Sequence, residues 1–126
     1  MAPHHHRLLS LLIFVALHGG VIQSGFAPHY AKGVMARVAR NRDMLPVACM
    51  VSSPVWPLGT ELWVFGHATG VLLRCEVFDV SHPRDRARHV RTRRVIEISH
   101  ENARQLCGST RGRPVDCPVT IVKLEQ

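Results

Sequence analysis

The pattern of apolar and polar positions predicts several short strands and few helices. Runs rich in β-branched and aromatic residues at 61–65, 71–80 and 95–99 are typical of strands, and 71–80 partly alternates between apolar and polar positions. Two further strands are predicted at 47–53 and 117–124. Because the strands are short and separated by turns, the pattern favours a mainly β fold, a compact barrel.

Only one or two short helices are expected. Val34, Met35 and Val38 have helical spacing, although the segment before them has features of an extended or turning entry. Residues 99–108 indicate a short helix with Ser99 as N-cap and a glycine as its stop. The segment 81–94 contains six arginines and is predicted to be a long basic loop.

The N-terminus has the layout of a secretory signal peptide. Residues 1–7 carry three histidines, one arginine and no acid, and the almost wholly apolar run 8–17 follows. A spanning helix needs about 20 apolar residues, and His18 with two glycines interrupts this run too early. We predict cleavage near Ser24 or Gly25, which divides the chain into a signal peptide (1–25) and one exported domain (26–126). The alternative is an uncleaved anchor.

All four cysteines lie after this segment, and an even count in an exported chain predicts two disulfides. Three pairings are possible. Cys107 and Cys117 flank a Gly/Pro-rich loop and form the natural local pair, and Cys49 with Cys75 follows by elimination. A zinc site is the alternative, but no CxxC pair is present and the histidines lack metal-ligand spacing. No metal or other cofactor is therefore predicted.

The formal net charge is +7. A basic exported protein suits anionic polymers such as cell-wall glycan with acidic peptides, teichoic acid, phospholipid or nucleic acid. Composition does not choose among these partners. The expected location is periplasmic or extracellular, without stable membrane insertion after signal cleavage.

The order of motifs resembles the double-psi β-barrel of the rare lipoprotein A (RlpA) family. The resemblance is carried by "PLGTELWVFGHATGVLLRCEVFDVS", "RVIEISHENARQLCG" and "CPVTIVKL", and it covers about residues 30–124. Expansins and family-45 endoglucanases share that barrel. The resemblance implies a small six-stranded, disulfide-stapled double-psi β-barrel that binds or cleaves wall polysaccharide; RlpA-like enzymes are lytic transglycosylases of peptidoglycan.

The family's motifs transfer only in part. Ser53 stands where the family has a histidine, and Asp43 is the nearest acid to the family's earlier acidic position. Asp79 is kept at the end of its strand, and Glu97 takes the place of the aspartate in the family's later strand.

Glu97 and Asp79 are therefore the candidate catalytic residues. Glycan cleavage needs a proton donor for the leaving oxygen and usually a second carboxylate, although a transglycosylase can use one acid/base because the sugar's own hydroxyl attacks. The alternative is structural: Asp79 closes a turn, and Glu97 pairs with an arginine of the basic segment.

Aromatic and basic side chains are the candidate substrate-binding residues. Trp56 and Trp63 could stack on sugars, or they could belong to the core. The basic segment could bind carboxylates or phosphates, or it could be a solvated loop. Its candidate residues are Arg84, Arg86, Arg88 and Arg91.

Three functions are compared. The first is a wall-associated module that binds peptidoglycan or a related polysaccharide without efficient catalysis, which the missing histidine and the basic segment favour. The second is a glycan-cleaving enzyme of the lytic transglycosylase or endoglucanase type that uses Glu97 and Asp79. The third is a basic effector-like protein that binds another anionic macromolecule.

Overall fold

A computed structural model describes residues 3–108 and 116–125 of the chain. Its helices are α1 (Pro3–His18), α2 (Val34–Asn41), α3 (Pro83–Arg91) and α4 (His100–Cys107). Its strands are β1 (Gly20–Ala27), β2 (Met50–Ser53), β3 (Glu61–Gly66), β4 (Leu72–Val80), β5 (Glu97–Ile98) and β6 (Cys117–Leu124).

The six strands form one curled sheet in the order β1-β6-β3-β4-β2-β5. β2 and β4 run parallel, whereas the other neighbouring pairs are antiparallel. Isolated bridges join Phe26 to Arg94 and His29 to Ile98. These bridges bring the two edges of the sheet together at one end, so the sheet closes into a half-barrel.

Two apolar clusters hold the fold. The larger lies inside the curl and includes Val51, Val77 and Ile98, all fully buried. The smaller lies outside the curl, where Met35 and Ala39 of α2 pack against Phe78 of β4. This second cluster fixes α2 beside the ends of β2 and β4.

The predicted strands after residue 46, the α4 helix and the six-stranded count are confirmed. The expectation of a mainly β fold with one or two helices is wrong, because helix and strand take about equal shares of the described residues. The predicted basic loop contains α3. Pro83 occupies its first turn, the His82 side chain caps it by accepting a hydrogen bond from the backbone N–H of Arg84, and Asp85 suits the positive helix N-terminus.

The N-terminal region contains a helix followed by a strand. β1 pairs with β6 along its whole length, from Gly20 opposite Leu124 to Ala27 opposite Cys117. The predicted cleavage point near Ser24 or Gly25 therefore falls inside a strand of the sheet, and cleavage stays a prediction. Among the described residues, no helix is both long and apolar enough to cross a membrane.

Both predicted disulfides are confirmed, Cys49–Cys75 and Cys107–Cys117. Disulfides are typical of oxidising compartments, which agrees with an exported protein. Most of the predicted Gly/Pro-rich loop between Cys107 and Cys117, at 109–115, lies outside the described residues.

Candidate active site

The two candidate acids lie on either side of Ser52 across three neighbouring strands. Ser52 of β2 is in register with Asp79 of β4 on one side and with Glu97 of β5 on the other. Val51, the residue before Ser52, pairs with the core residues Val77 and Ile98. Since side chains alternate along strands, Ser52 and Glu97 lie on the face opposite the core, and two strand spacings place the backbones of the two acids about 10 Å apart.

Asp79 is held by two side chains from distant parts of the sequence. Its Oδ1 lies 2.6 Å from Nη2 of Arg42, directly after α2, and its Oδ2 accepts a hydrogen bond of 2.9 Å from the Tyr30 hydroxyl. The backbone N–H of Val80 also donates to Oδ1, at 3.0 Å. These partners fix the orientation of the carboxylate.

Glu97 is in a different electrostatic environment. The pKa of its carboxyl is raised to about 7, mainly by burial and also by the negative charges of Asp79 and Asp116, whereas the positive charge of Arg94 lowers it. A carboxyl with this pKa is about half protonated at neutral pH. The site therefore combines a carboxyl that can donate a proton with a carboxylate that is held by an arginine.

Tyr30 is hydrogen-bonded to Asp79 and is influenced by the charges of both acids. Burial raises the pKa of its phenol, and the negative charges of Glu97 and Asp79 also raise it, although a hydrogen bond with Ser52 lowers it. The phenol is consequently a neutral hydrogen-bond donor at physiological pH. The resemblance to the RlpA family begins at about Tyr30. No local sequence pattern indicated that this residue contacts Asp79.

Glu97 lines a small cavity that opens beside a larger one. Ser81, His89 and Arg94 are among the other residues that line the small cavity. The larger cavity has a volume of about 270 Å³ and shares Pro54, His89 and Arg94 with it. The shared residues make the two cavities neighbours.

His89 is a second titratable group at this point. Its Nδ1 lies 2.8 Å from the Ser81 hydroxyl. Burial lowers the pKa of its imidazole, and the positive charge of Arg88 lowers it further. His89 therefore offers a neutral ring beside the acid rather than another cation.

The predicted arginines and the cavity do not coincide. Arg84, Arg86, Arg88 and Arg91 are exposed on α3, and none of them lines either cavity near Glu97. The larger cavity is lined instead by Arg93 and Arg94, which follow the helix. In a segment interpreted as a loop, no periodicity distinguished these two from the other four.

The two tryptophans occupy separate places. Trp63 faces away from the core, on the outer side of β3, and lines a cavity together with residues of α1. Trp56 is partly buried and packs on the core, and Nζ of Lys123 lies 5.4 Å from its ring centroid. Neither tryptophan lines the cavities at Glu97.

Ser53, at the family's histidine position, has a structural role. It is fully buried, and its hydroxyl oxygen accepts hydrogen bonds from the backbone N–H groups of Val55 and Trp56, at 3.1 and 2.8 Å. It therefore fixes the turn after β2. Within residues 3–108 and 116–125, no group of three or more His, Cys, Asp or Glu side chains is arranged to hold a metal ion.

No family model, curated protein or solved structure matches this chain. The resemblance to the RlpA family therefore stays a prediction from sequence motifs. Function has to be argued from the chemistry of the site.

Proposed function

We propose that this chain is an exported glycan-cleaving enzyme of the lytic transglycosylase or endoglucanase type, acting on peptidoglycan or a related wall polysaccharide. The observation that carries the proposal is the pair of unlike carboxyls: Glu97 with a pKa of about 7, and Asp79 bound to Arg42. Two acids in environments this different are the usual arrangement for acid-catalysed glycoside cleavage. The sequence motifs alone favoured the wall-binding module. The pair of unlike carboxyls favours the glycan-cleaving enzyme instead.

Each carboxyl has a defined part in the reaction. Protonated Glu97 donates its proton to the glycosidic oxygen as the bond from that oxygen to the anomeric carbon breaks. The Asp79 carboxylate stabilises the positive charge that develops on the sugar ring. A hydroxyl of the same sugar, or a water molecule, then attacks the anomeric carbon, and the Glu97 carboxylate accepts the proton released by that attack.

The proposal includes a double-psi type of barrel. It is supported by the curled six-stranded sheet, by the parallel pairing of β2 with β4, and by the position of both acids on the strands that flank β2. The larger cavity is close to the lower limit for ligand pockets, which suits one sugar of a polymer rather than a whole chain.

A wall-binding module without catalysis is the second candidate. Ser53 favours it, because the position of the family's histidine is used to fix a turn. The α3 helix also favours it, because it has no buried residue and presents its arginines to solvent. Both observations fit a surface that binds an anionic polymer.

The test compares cleavage with binding. The full-length chain is produced in an oxidising compartment, its N-terminus is read from the intact mass, and it is incubated with purified peptidoglycan sacculi. Pelleted protein and soluble fragments are both measured. We expect fragment release, and we expect Glu97→Gln to lower the rate about 10²- to 10⁴-fold. The matched control is Glu76→Gln, since Glu76 lies on the same sheet but lines a different cavity, with Glu61 and Arg74.

The other outcomes separate the candidates. Pelleting without release would favour the binding module and leave both acids with structural roles. Release that is equally fast in Glu97→Gln would contradict the assignment of the acid. A result with no pelleting and no fragment release would overturn both the enzyme and the binding-module forms of the wall-polysaccharide proposal. It would favour another anionic partner.

A further inference from the structure

We infer that the larger cavity beside Glu97 is a subsite for a carboxylate carried by a sugar of the substrate, with Arg93 and Arg94 as its ligands. This inference rests on the proposed function, because it concerns the sugar next to the acid. It names the substrate class as an acidic polysaccharide.

The charge of the cavity is one-sided. Among the described residues, its lining includes two guanidinium groups and no acidic side chain. Asp116 lies near, but it is already paired with Arg94, Oδ2 to Nε at 3.1 Å. Among the described residues, an incoming anion therefore meets Arg93, which has no acidic partner, and Arg94, which is paired with Asp116.

Both guanidinium groups are oriented by the protein. One terminal nitrogen of Arg93 donates to the backbone carbonyl of Ser24 at 3.0 Å, and Arg94 is held through Nε by Asp116. A guanidinium has five N–H donors, so each arginine keeps donors for a ligand, and its planar geometry matches a carboxylate.

The backbone at this point is held in an unusual conformation. Arg93 has φ of 59°, in the left-handed region that a long side chain rarely adopts. It is fixed on both sides, because its carbonyl accepts a hydrogen bond from Phe26 N–H and the next N–H, that of Arg94, donates to the carbonyl of His89. Left-handed residues of this kind concentrate at binding sites, and here the turn places two consecutive arginines on one cavity.

The rest of the lining fits a sugar. Pro54, Val55, Val90 and Val95 supply an apolar wall that can pack against the C–H groups of a pyranose ring. A small inorganic anion would make no use of that wall. A sugar with a carboxylate would use the wall and both arginines, and the cavity adjoins the residue that is proposed to cleave it.

A bound carboxylate would also act on the neighbouring acid. Arg94 lowers the pKa of Glu97, and an anion on Arg94 would offset that effect. The acidic substrate would thereby favour the protonated form of the residue that must donate a proton.

Binding to matched oligosaccharides tests the inference. The full-length chain carries Glu97→Gln to prevent turnover, and affinity is measured by calorimetry. One pair is an oligogalacturonate and its methyl ester; the other is a muramic-acid glycan oligosaccharide and its carboxyl-reduced form. We expect the acidic member of at least one pair to bind about tenfold more tightly or better, and the responding pair distinguishes a ring carboxylate from a lactyl ether.

Two variants assign that preference to residues. Arg93→Asn, whose new side chain tolerates the left-handed region, and Arg94→Gln should each remove most of the preference for the acidic member of the pair. Arg37→Gln removes the same charge from an exposed position of α2 and should keep the preference. Circular dichroism and melting temperature establish folding, with Arg93→Gly and Arg94→Met as replacements for a variant that does not fold.

Equal affinity for both members of both pairs would overturn the subsite, as would an equal loss in Arg37→Gln. The two proposals fail separately. If the wild-type chain cleaves neutral glycan in a Glu97-dependent way and shows no acidic preference, the enzyme stands and the subsite is wrong. If the preference is present but no glycan is cleaved, the subsite stands as a binding site and the enzyme proposal is wrong.

Discussion

Two regions of the sheet differ in whether their buried polar side chains are fully hydrogen-bonded. At the α4 corner, where α4 packs on β3 and β6, the buried Asn102 side chain is hydrogen-bonded at both ends. Its Oδ1 accepts from Met50 N–H at 3.1 Å and from the Ser99 hydroxyl, and its Nδ2 donates to the Ala48 carbonyl and to Gln105 Oε1, each at 2.9 Å. Satisfied networks of this kind stabilise and specify a fold.

The carboxyl corner, formed by Asp79, Ser52, Glu97 and Tyr30, is different. Within residues 3–108 and 116–125, the Glu97 carboxyl makes no side-chain hydrogen bond, and its charged form is disfavoured both by burial and by Asp79. The sheet therefore carries an electrostatic cost at one corner and avoids it at the other. Functional sites often contain a locally unfavourable electrostatic arrangement, which packing elsewhere in the fold compensates.

The largest change in stability is expected for a substitution at Gly66, which lies at the α4 corner. A Cβ at this position would lie 2.1 Å from the carbonyl oxygen of Leu106 in α4. Because an alanine Cβ cannot rotate away and the carbonyl belongs to the backbone of a packed helix, Gly66→Ala should push α4 from β3 and lower the free energy of unfolding by about 3 kcal/mol. Urea denaturation at constant pH measures the change.

The control for this prediction is Gly33→Ala. Gly33 has φ of 79° and no neighbouring atom within 4 Å of the added Cβ. That variant should cost only the strain of a left-handed alanine, about 1 kcal/mol. Equal losses in the two variants would mean that the contact between β3 and α4 does not stabilise the α4 corner.

The α4 corner could be predicted from sequence because its signals are local. Ser99 is an N-cap, Gly108 ends the helix in a left-handed conformation, and Cys107 with Cys117 flanks one loop. Asp79 and Glu97 were identified through the motif resemblance. The partners of Asp79, Tyr30 and Arg42, were missed, because those contacts join residues 49 and 37 positions apart.

Two elements were missed, β1 for a nonlocal reason and α3 for a local one. β1 lies in a segment that has the composition of a signal-peptide end, and Gly25 in it is explained only by a distant contact: a Cβ there would lie 2.3 Å from the Arg93 carbonyl oxygen. The α3 helix has no buried residue and therefore no apolar periodicity. Its caps and helix-end charges were the available signals, and the density of arginine obscured them.

The next effect is the pH dependence of stability that Glu97 contributes. Its pKa is raised from 4.5 in the unfolded chain to about 7 in the folded protein, so the folded state holds the proton more tightly. The contribution is fully present below pH 4.5 and is lost as pH rises through 7. The shift corresponds to an upper limit of about 3 kcal/mol, and solvent screening at this part-exposed group reduces the expected change to about 1–2 kcal/mol.

Glu97→Gln isolates this contribution from the other titrating groups. Urea denaturation of both chains at several values between pH 4.5 and 8.5 should show the wild-type chain losing stability relative to the variant as pH rises. A constant difference across that range would mean that Glu97 is not desolvated, and the contrast between the two corners would disappear.

The smallest effect is expected for Asp79→Asn, and it tests whether the two acids are coupled. The variant loses the ion pair with Arg42, which is partly exposed, so we expect a loss of about 1 kcal/mol in the free energy of unfolding at neutral pH. It also removes a negative charge that raises the pKa of Glu97, and the pH-dependent loss of stability between pH 4.5 and 8.5 should therefore become smaller.

Glu61→Gln is the matched control: it removes an exposed ion pair with Arg74 and should change neither the stability nor its pH dependence measurably. If Asp79→Asn leaves the pH dependence as it is in the wild type, burial alone sets the protonation of Glu97, and the two carboxyls do not act as a pair.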